Sequence, residues 1–476
     1  MADKGFERVL DKREVLALAF GAMIGWGWVV LAGGWVQSAG AAGAMIAFAI
    51  GGFAVVLIGL TYAELASAMP LTGGEHVYSH RAFGMTGSFI CTWAIILGYV
   101  SVVAFEAVAL PTVIEHLFPN YKVIRLWSVA GSDVYLSWAL VGSLGAVAMT
   151  WINIIGIKTC ALLQKVVTLL ILLVGVMLVT GALFNGEGAN MEPLFVGGGV
   201  GILAVLIMTP FMFVGFDVIP QAAEEIDLPY DQIGKVLILS VVMAVFWYVF
   251  VILAVALALS PEETAASGLP TADAMSAVFG GTWAGKLLVI AGIGGIVTSW
   301  NAFLVGGSRA VYAMAHARML PAFLGRLHPV HRTPVNAILM IGALSVIAPF
   351  FGRSTLVWLV DAGGLGIIVA YAMVAASFLA LRRNEPDMPR PFRVRHGVWV
   401  GRAALALAIG IALLYLPFSP AALIWPYEWA IAGGWAALGL AFYLWARIAH
   451  PGAADAILRE QLETGLRDLP KGATPT

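Results

Sequence analysis

The sequence predicts an all-α integral membrane protein of twelve transmembrane helices, two of them broken. Three observations carry this. The chain is 61% hydrophobic and only 11% charged, where soluble domains carry about 25% charge. Long stretches hold no Asp, Glu, Lys or Arg: Val15 to Ala63, Pro193 to Phe216, Val236 to Pro261, Leu287 to Ser308 and Ala403 to Tyr427. Each suffices for a span of roughly 20 residues, and the first for two. Two apolar stretches are interrupted at depth, Gly21-Ala22-Met23-Ile24-Gly25-Trp26-Gly27-Trp28 and Pro210-Phe211-Met212-Phe213-Val214-Gly215-Phe216-Asp217. Non-helical backbone in a bilayer survives only where it is buried in protein or lines a cavity.

The chain opens on a charged segment, 1–14, which does not look like a cleaved signal peptide. Spans are then expected near 15–37, 42–69, 86–115, 136–157, 159–184, 198–223, 234–259, 286–314, 334–351, 355–381, 402–419 and 428–447. The first holds one break and the sixth the other. Between the seventh and eighth lies a loop, 260–285, with Pro261, Pro270 and a short helix expected at Ala272 to Phe279. A basic loop, 382–402, precedes the eleventh span. The tail, 448–476, carries an amphipathic stretch from Asp455 to Leu469, expected as a solvated helix.

An even count puts both termini on one side, and loop charge says which. With the N-terminus inside, only Lys122, Arg125, Lys286 and Arg353 fall outside; the rest of the 26 Lys and Arg lie in inner segments or adjacent helix ends. That asymmetry predicts both termini in the cytoplasm of a cell inner (plasma) membrane protein. Trp127, Trp138, Trp358, Trp425 and Trp429 fall near outer helix ends, as interfacial anchors should.

A net charge of −1 argues against a nucleic-acid partner. Cys91 and Cys160 sit in apolar runs and read as buried thiols rather than a disulfide. His316, His328 and His331 read as surface residues of a basic loop. His76 and His80, four apart, are placed in an inner loop and make a poor metal site. No cofactor or metal is expected. No transport ATPase motif is present, an enzyme would need a convergent catalytic set, and a channel would need a repeated filter segment.

Unwinding at Gly25-Trp26-Gly27 frees backbone groups in a low-dielectric pocket. A half-helix N-terminus favours a carboxylate, and exposed carbonyls favour an ammonium or a cation. Phe211, Phe213 and Phe216 are candidates for an aromatic gate or for packing. Asp217 and Glu106 are acids inside spans, where a charge is a functional hypothesis by default. For Glu106 three roles compete: partner of a substrate amine, carrier of a coupling proton, or structural hydrogen bond. For Asp217 the alternative is a structural acid bonded to freed backbone donors. Glu64 reads as a gating or packing residue paired with inner-loop Arg. Thr298 and Ser299 could ligate sodium with carbonyls of the first break, though such hydroxyls more often bond their own helix. Asn301 lies beside them.

These motifs resemble the amino acid–polyamine–organocation superfamily of permeases over nearly the whole chain. Gly21…Ile24-Gly25-Trp26-Gly27 is similar to its first-span G-x-x-I-G-S-G pattern. Tyr62-Ala63-Glu64-Leu65 with Pro70…Gly73-Gly74-Glu75…Tyr78 is similar to its span-two signature. Gly215-Phe216…Glu224-Glu225…Pro229 and Ser308-Arg309…Tyr312-Ala313-Met314…Leu320-Pro321 resemble the ends of spans six and eight. The resemblance implies the leucine-transporter arrangement: a 5+5 inverted repeat of residues 15–184 and 198–381, broken helices one and six, and two peripheral helices within 402–447. It implies alternating access, with substrate held at Ala22, Ile24, Gly25, Trp26 and Gly27 against Phe211, Phe213, Gly215, Phe216 and Asp217, and Arg309 as a gating or structural residue.

Two positions depart from that pattern. Trp26 stands where a small Ser is usual, which crowds the carboxylate end of the site. Ile171 stands where some proton-coupled members have a span-five Lys; Lys158 and Lys165 lie nearer the inner end. If protons drive the carrier, Glu106 or Asp217 is the candidate. The expectation is therefore a secondary-active, proton-coupled transporter of amino acids or small organic amines, with exchange or sodium coupling as alternatives. Its partners are the substrate, protons or sodium, and the lipid bilayer.

Overall fold

The computed structural model describes Phe6, residues 8–118 and 120–467, without the side chains of 116, 157–160 and 464–467. Cys160 and Lys158 therefore lie outside the described side chains, and Cys91 is a buried free thiol. Helix α1 (Lys12–Met23) starts on a capping box: Asp11 accepts from the Arg13 and Glu14 backbone N–H groups, and Glu14 returns a bond to Asp11 N–H. It is followed by α2 (Gly27–Ala39), α3 (Ala41–Ala68), α4 (Glu75–Leu117), a hairpin of β1 (Arg125–Val129) and β2 (Ser132–Tyr135), α5 (Leu136–Ile155) and α6 (Ile157–Asn185). Then come α7 (Gly198–Leu206), α8 (Thr209–Phe213), α9 (Val218–Gln221), α10 (Tyr230–Ala258), α11 (Pro261–Ala266), α12 (Pro270–Val278) and α13 (Thr282–His316). The chain closes with α14 (Val335–Ile347), α15 (Thr355–Asn384), α16 (Gly397–Leu414), α17 (Tyr427–Ala449) and α18 (Ala453–Arg467).

The protein is a multi-pass all-α membrane bundle. Among the described residues ten helical stretches are long and apolar enough to cross a bilayer, and α1 with α2 forms one more, bent by 41°. The stretch Gly198–Gln221 counts as one of the ten although it is built from α7, α8 and α9. Residues 335–351 form a shorter apolar helix. The packing has a regular order. α3 lies on α10, α4 on α13 and α5 on α14; α4 also packs on α15, as α13 does on α6. Exchanging each helix for the one five spans along maps these contacts onto themselves, which points to an internal repeat.

Three expectations are corrected. The inner segment before the third span is helical from Glu75 and joins that span at Gly84, where the backbone is non-helical (φ 68°). His76 and His80 are thus helical and buried, 1% and 6% exposed, rather than in a loop. The His76 ring bonds Ser88 and Thr92, and His80 pairs with Asp455 at 2.8 Å. The tail helix α18 is not free in solvent: Leu458 is 2% exposed and Gln461 bonds His316. The 260–285 loop holds α11 besides the short helix expected there, which is α12 and is seated in the bundle, with the Thr271 hydroxyl donating to the Trp28 carbonyl at 3.1 Å.

Candidate functional site

The first break opens at Ile24 to Trp26, and several of the carbonyls around it meet a partner or close packing. The Tyr248 hydroxyl donates to Met23 O at 2.6 Å, Trp28 Nε1 to Ile24 O at 3.2 Å, and the Thr298 hydroxyl to Gly21 O at 3.1 Å. A Cβ on Gly295 would lie 2.6 Å from Gly25 O, so α13 crosses the break at glycine distance. The second break lies at Val214 to Asp217, where Gly215 adopts φ 138°. A side chain there would be strained, and its Cβ would lie 2.8 Å from Ala22 Cβ and 3.0 Å from Met23 N. The two breaks therefore touch.

Between them is a cavity of about 20 Å³, room for about one water. It is lined by Ala22, Met23, Gly25 and Gly27 from the first break, Val102, Phe105 and Glu106 from α4, and Phe211 and Met212 from α8. Tyr248 of α10 and Ser299 and Phe303 of α13 complete it. Glu106 is its only carboxylate. The side chain is 2% exposed. It lies within hydrogen-bonding reach of the Ser299 hydroxyl and the Trp26 backbone N–H, while Oε2 has no partner among the described residues. A buried carboxylate oxygen without a donor costs free energy unless a ligand, water or proton satisfies it.

Other predicted residues sit elsewhere. The Trp26 indole points into α13: a Cβ on Gly292 would lie 2.0 Å from its Cζ3. Only the Trp26 backbone reaches Glu106. Phe213 packs on Phe48 and Tyr248, and Phe216 on Tyr62 and Tyr371. Asp217 accepts from the Tyr99 hydroxyl at 2.5 Å, from Gly215 N–H at 2.7 Å and from the Tyr371 hydroxyl at 3.4 Å. It ties the second break to α4 and α15. Asn301 belongs to a neutral chain: Asn153 donates to Asn301, and Asn301 to Gln164, each at 3.1 Å. Gln164 also donates to Ala17 O at 3.3 Å. It is Gln164 and Thr168 that face Gly21, whereas Ile171 lies near Gly294.

A second set of buried acids is held by hydrogen bonds and ion pairs. Glu75 is fully buried and accepts from the Tyr62 hydroxyl at 3.2 Å and from Gln221. Two ion pairs lie beyond it. Arg309 grips Glu225 at 2.9 and 3.2 Å, both side chains nearly inaccessible. Glu64 accepts from Arg382 at 2.9 and 2.5 Å and from Val394 N–H at 2.7 Å, with Arg390 Nε 3.0 Å away. Glu224, at the foot of the second break, accepts from Thr72 N–H at 3.0 Å. Burial pushes its carboxyl above the usual range, reinforced by Glu225 and opposed by the Thr72 bond. No cluster of three His, Cys, Asp or Glu that could hold a metal occurs among the described residues.

A family model described as amino acid permease matches residues 10–438. The chain is similar to a branched-chain amino acid permease of Bacillus subtilis, 26% identical over 408 residues, covering 82% of this chain and 84% of that one. It is 24% identical to a methylthioribose transporter of the same organism, covering 82% and 85%. It is 27% identical to the human large neutral amino acids transporter small subunit 2, covering 83% and 74%.

Proposed function

The chain belongs to the amino acid permease family, and on that footing we propose that it is a proton-coupled carrier of a small organic amine or amine-bearing amino acid, working by alternating access. Secondary-active permeation of amino acids or amines is the family's activity. The narrower reading rests on one observation: the unpartnered Oε2 of Glu106 in the cavity between the two breaks. The carboxylate also lies within hydrogen-bonding reach of the Trp26 N–H, a donor that a substrate carboxylate would otherwise take. The free oxygen suits an ammonium, whose charge it would balance away from water.

The same carboxylate is the better proton carrier of the two acids first considered, because the Asp217 oxygens are taken by fixed donors. The neutral Gln164–Asn301 chain and the Thr298–Gly21 bond favour protons over sodium, since they satisfy the groups a cation would need. The proposed architecture is twelve spans in a plasma membrane, with repeats at 15–184 and 198–381, peripheral helices within 402–447 and both termini inside. Loop charge supports this orientation, and the order of helix contacts supports the repeat.

A thermal-shift screen of amines and amino acids on detergent-purified protein tests the substrate class. A primary amine should raise the unfolding midpoint of the protein and fail to do so after Glu106→Gln. Stabilisation by carboxylates without an amine would overturn the reading.

A further inference from the structure

Arginines at the end of α15 and in the loop that leads to α16 fall into two sets. Arg382 and Arg390 point inward and neutralise Glu64. Arg390 also donates to the carbonyls of Pro386, Met388, Leu381 and Glu385. The loop backbone is fastened as well, through Val394 N–H to Glu64 and Phe392 N–H to the Ser67 hydroxyl at 3.1 Å. A loop held this firmly presents its remaining side chains in a fixed direction. Arg393, Arg395 and His396 are exposed and border a surface cavity of about 440 Å³ that ends at Val398 and Trp399. Arg402, one turn into α16, lies over the Trp399 ring at 5.6 Å.

The surroundings say what would cover this charge. Trp399 is 70% exposed, and an indole beside guanidinium groups at a helix end is the arrangement of a bilayer interface. Below it α16 presents Val398, Ile409 and Leu413, all exposed apolar side chains at helical spacing. A soluble anion would use the arginines and leave this apolar strip bare. A phospholipid uses both: phosphate on the guanidinium groups and an acyl chain along α16. Arginine forks suit phosphate oxygens, and basic clusters at span ends attract anionic headgroups.

We propose that Arg393, Arg395 and Arg402, with Trp399, form a binding site for an anionic phospholipid headgroup of the adjacent leaflet. Because the loop is fastened to α3 through Glu64, an occupied site steadies that end of the bundle.

The test measures retained lipid by native mass spectrometry, and thermal midpoint, for the full chain in phosphatidylglycerol and in phosphatidylcholine. Phosphatidylglycerol should be retained selectively and should raise the midpoint. Arg393→Ala and Arg395→Ala should each weaken retention about fivefold, from about 1 kcal/mol per basic residue near the surface. The Arg393→Lys/Arg395→Lys variant, which keeps the charge and loses the fork, should retain more lipid than either alanine variant and less than wild type, which separates lost charge from misfolding. Equal retention of both lipids, or no change in the alanine variants, would overturn the proposal. So would full displacement of phosphatidylglycerol by millimolar inorganic phosphate, which would assign the site to a soluble anion.

Discussion

The carboxylate of Glu106 lies within hydrogen-bonding reach of the backbone N–H of Trp26 at the first helix break, so a side chain of α4 stands beside a donor that unwinding set free. This contact links α4 to the first break, and in the proposed carrier a ligand or proton on Glu106 would act directly on it. Glu106→Gln keeps the shape and one acceptor but removes the charge. It should abolish amine uptake, or detach it from the proton gradient, with an unchanged elution profile and near-native thermal midpoint. Unaltered uptake and pH dependence would remove Glu106 from the mechanism.

Asp217 should behave differently. Its three donors are those of a structural acid at a half-helix junction. Asp217→Asn places an amide N–H against fixed donors, and a lost bond to a charged group costs roughly 1.5–3 kcal/mol. The expected result is a lower thermal midpoint, with the surviving folded fraction keeping the wild-type pH profile of uptake.

Trp26 and Gly292 form a packed pair. Gly292→Ala sets a methyl group into the indole and should destabilise by about 1–3 kcal/mol. Trp26→Phe should relieve part of that cost, giving a positive coupling in a double-mutant cycle read by thermal unfolding. Strict additivity would mean that the indole lies elsewhere.

The Glu64 clamp is a test of the basic end. Glu64→Gln leaves Arg382 and Arg390 without their counter-charge, and breaking a buried pair costs about 3–5 kcal/mol, here the low end because Arg382 reaches solvent. Thermal stability should fall and a cysteine placed at Ser67 should label faster with a water-soluble maleimide. Labelling at the wild-type rate would show that the clamp does not hold this end shut.

Glu224 supplies a pH dependence. Its carboxyl is raised in the folded protein, so folding favours the protonated form. The stabilisation it contributes is full below the ordinary carboxylate value of about 4.3 and is lost as pH rises through the raised folded value. Glu224→Gln should flatten the thermal midpoint across that window, measured in detergent.

Much of this was legible in the sequence. The glycines around Trp26 and the Gly215-Phe216-Asp217 turn located both breaks to within a residue or two, because close approach of neighbouring side chains admits only glycine at Gly21 and Gly25 and a positive φ favours it at Gly215. Glu106 stood out as a lone acid in an uncharged run. What the sequence hid is direction. Nothing in Gly25-Trp26-Gly27 says that the indole leaves the cavity for a slot at Gly292, more than two hundred residues away. Glu75 was hidden by its polar neighbours, which read as a loop although they form a short helical segment that Gly84 separates from the third span. Tyr248 looked like one more aromatic in α10, yet its hydroxyl caps Met23. Its signal was a single polar tip in an apolar run, which must find a partner when buried. The tail helix hid its docking for a similar reason: its partner His80 was itself assigned to a loop.

The most direct test is uptake of a primary amine into proteoliposomes under an imposed inward proton gradient, comparing wild type with Glu106→Gln. The wild type should accumulate the amine without sodium and lose that accumulation with a protonophore, and the variant should show none. Equal accumulation by the variant, or strict dependence on sodium, would contradict the proposed mechanism.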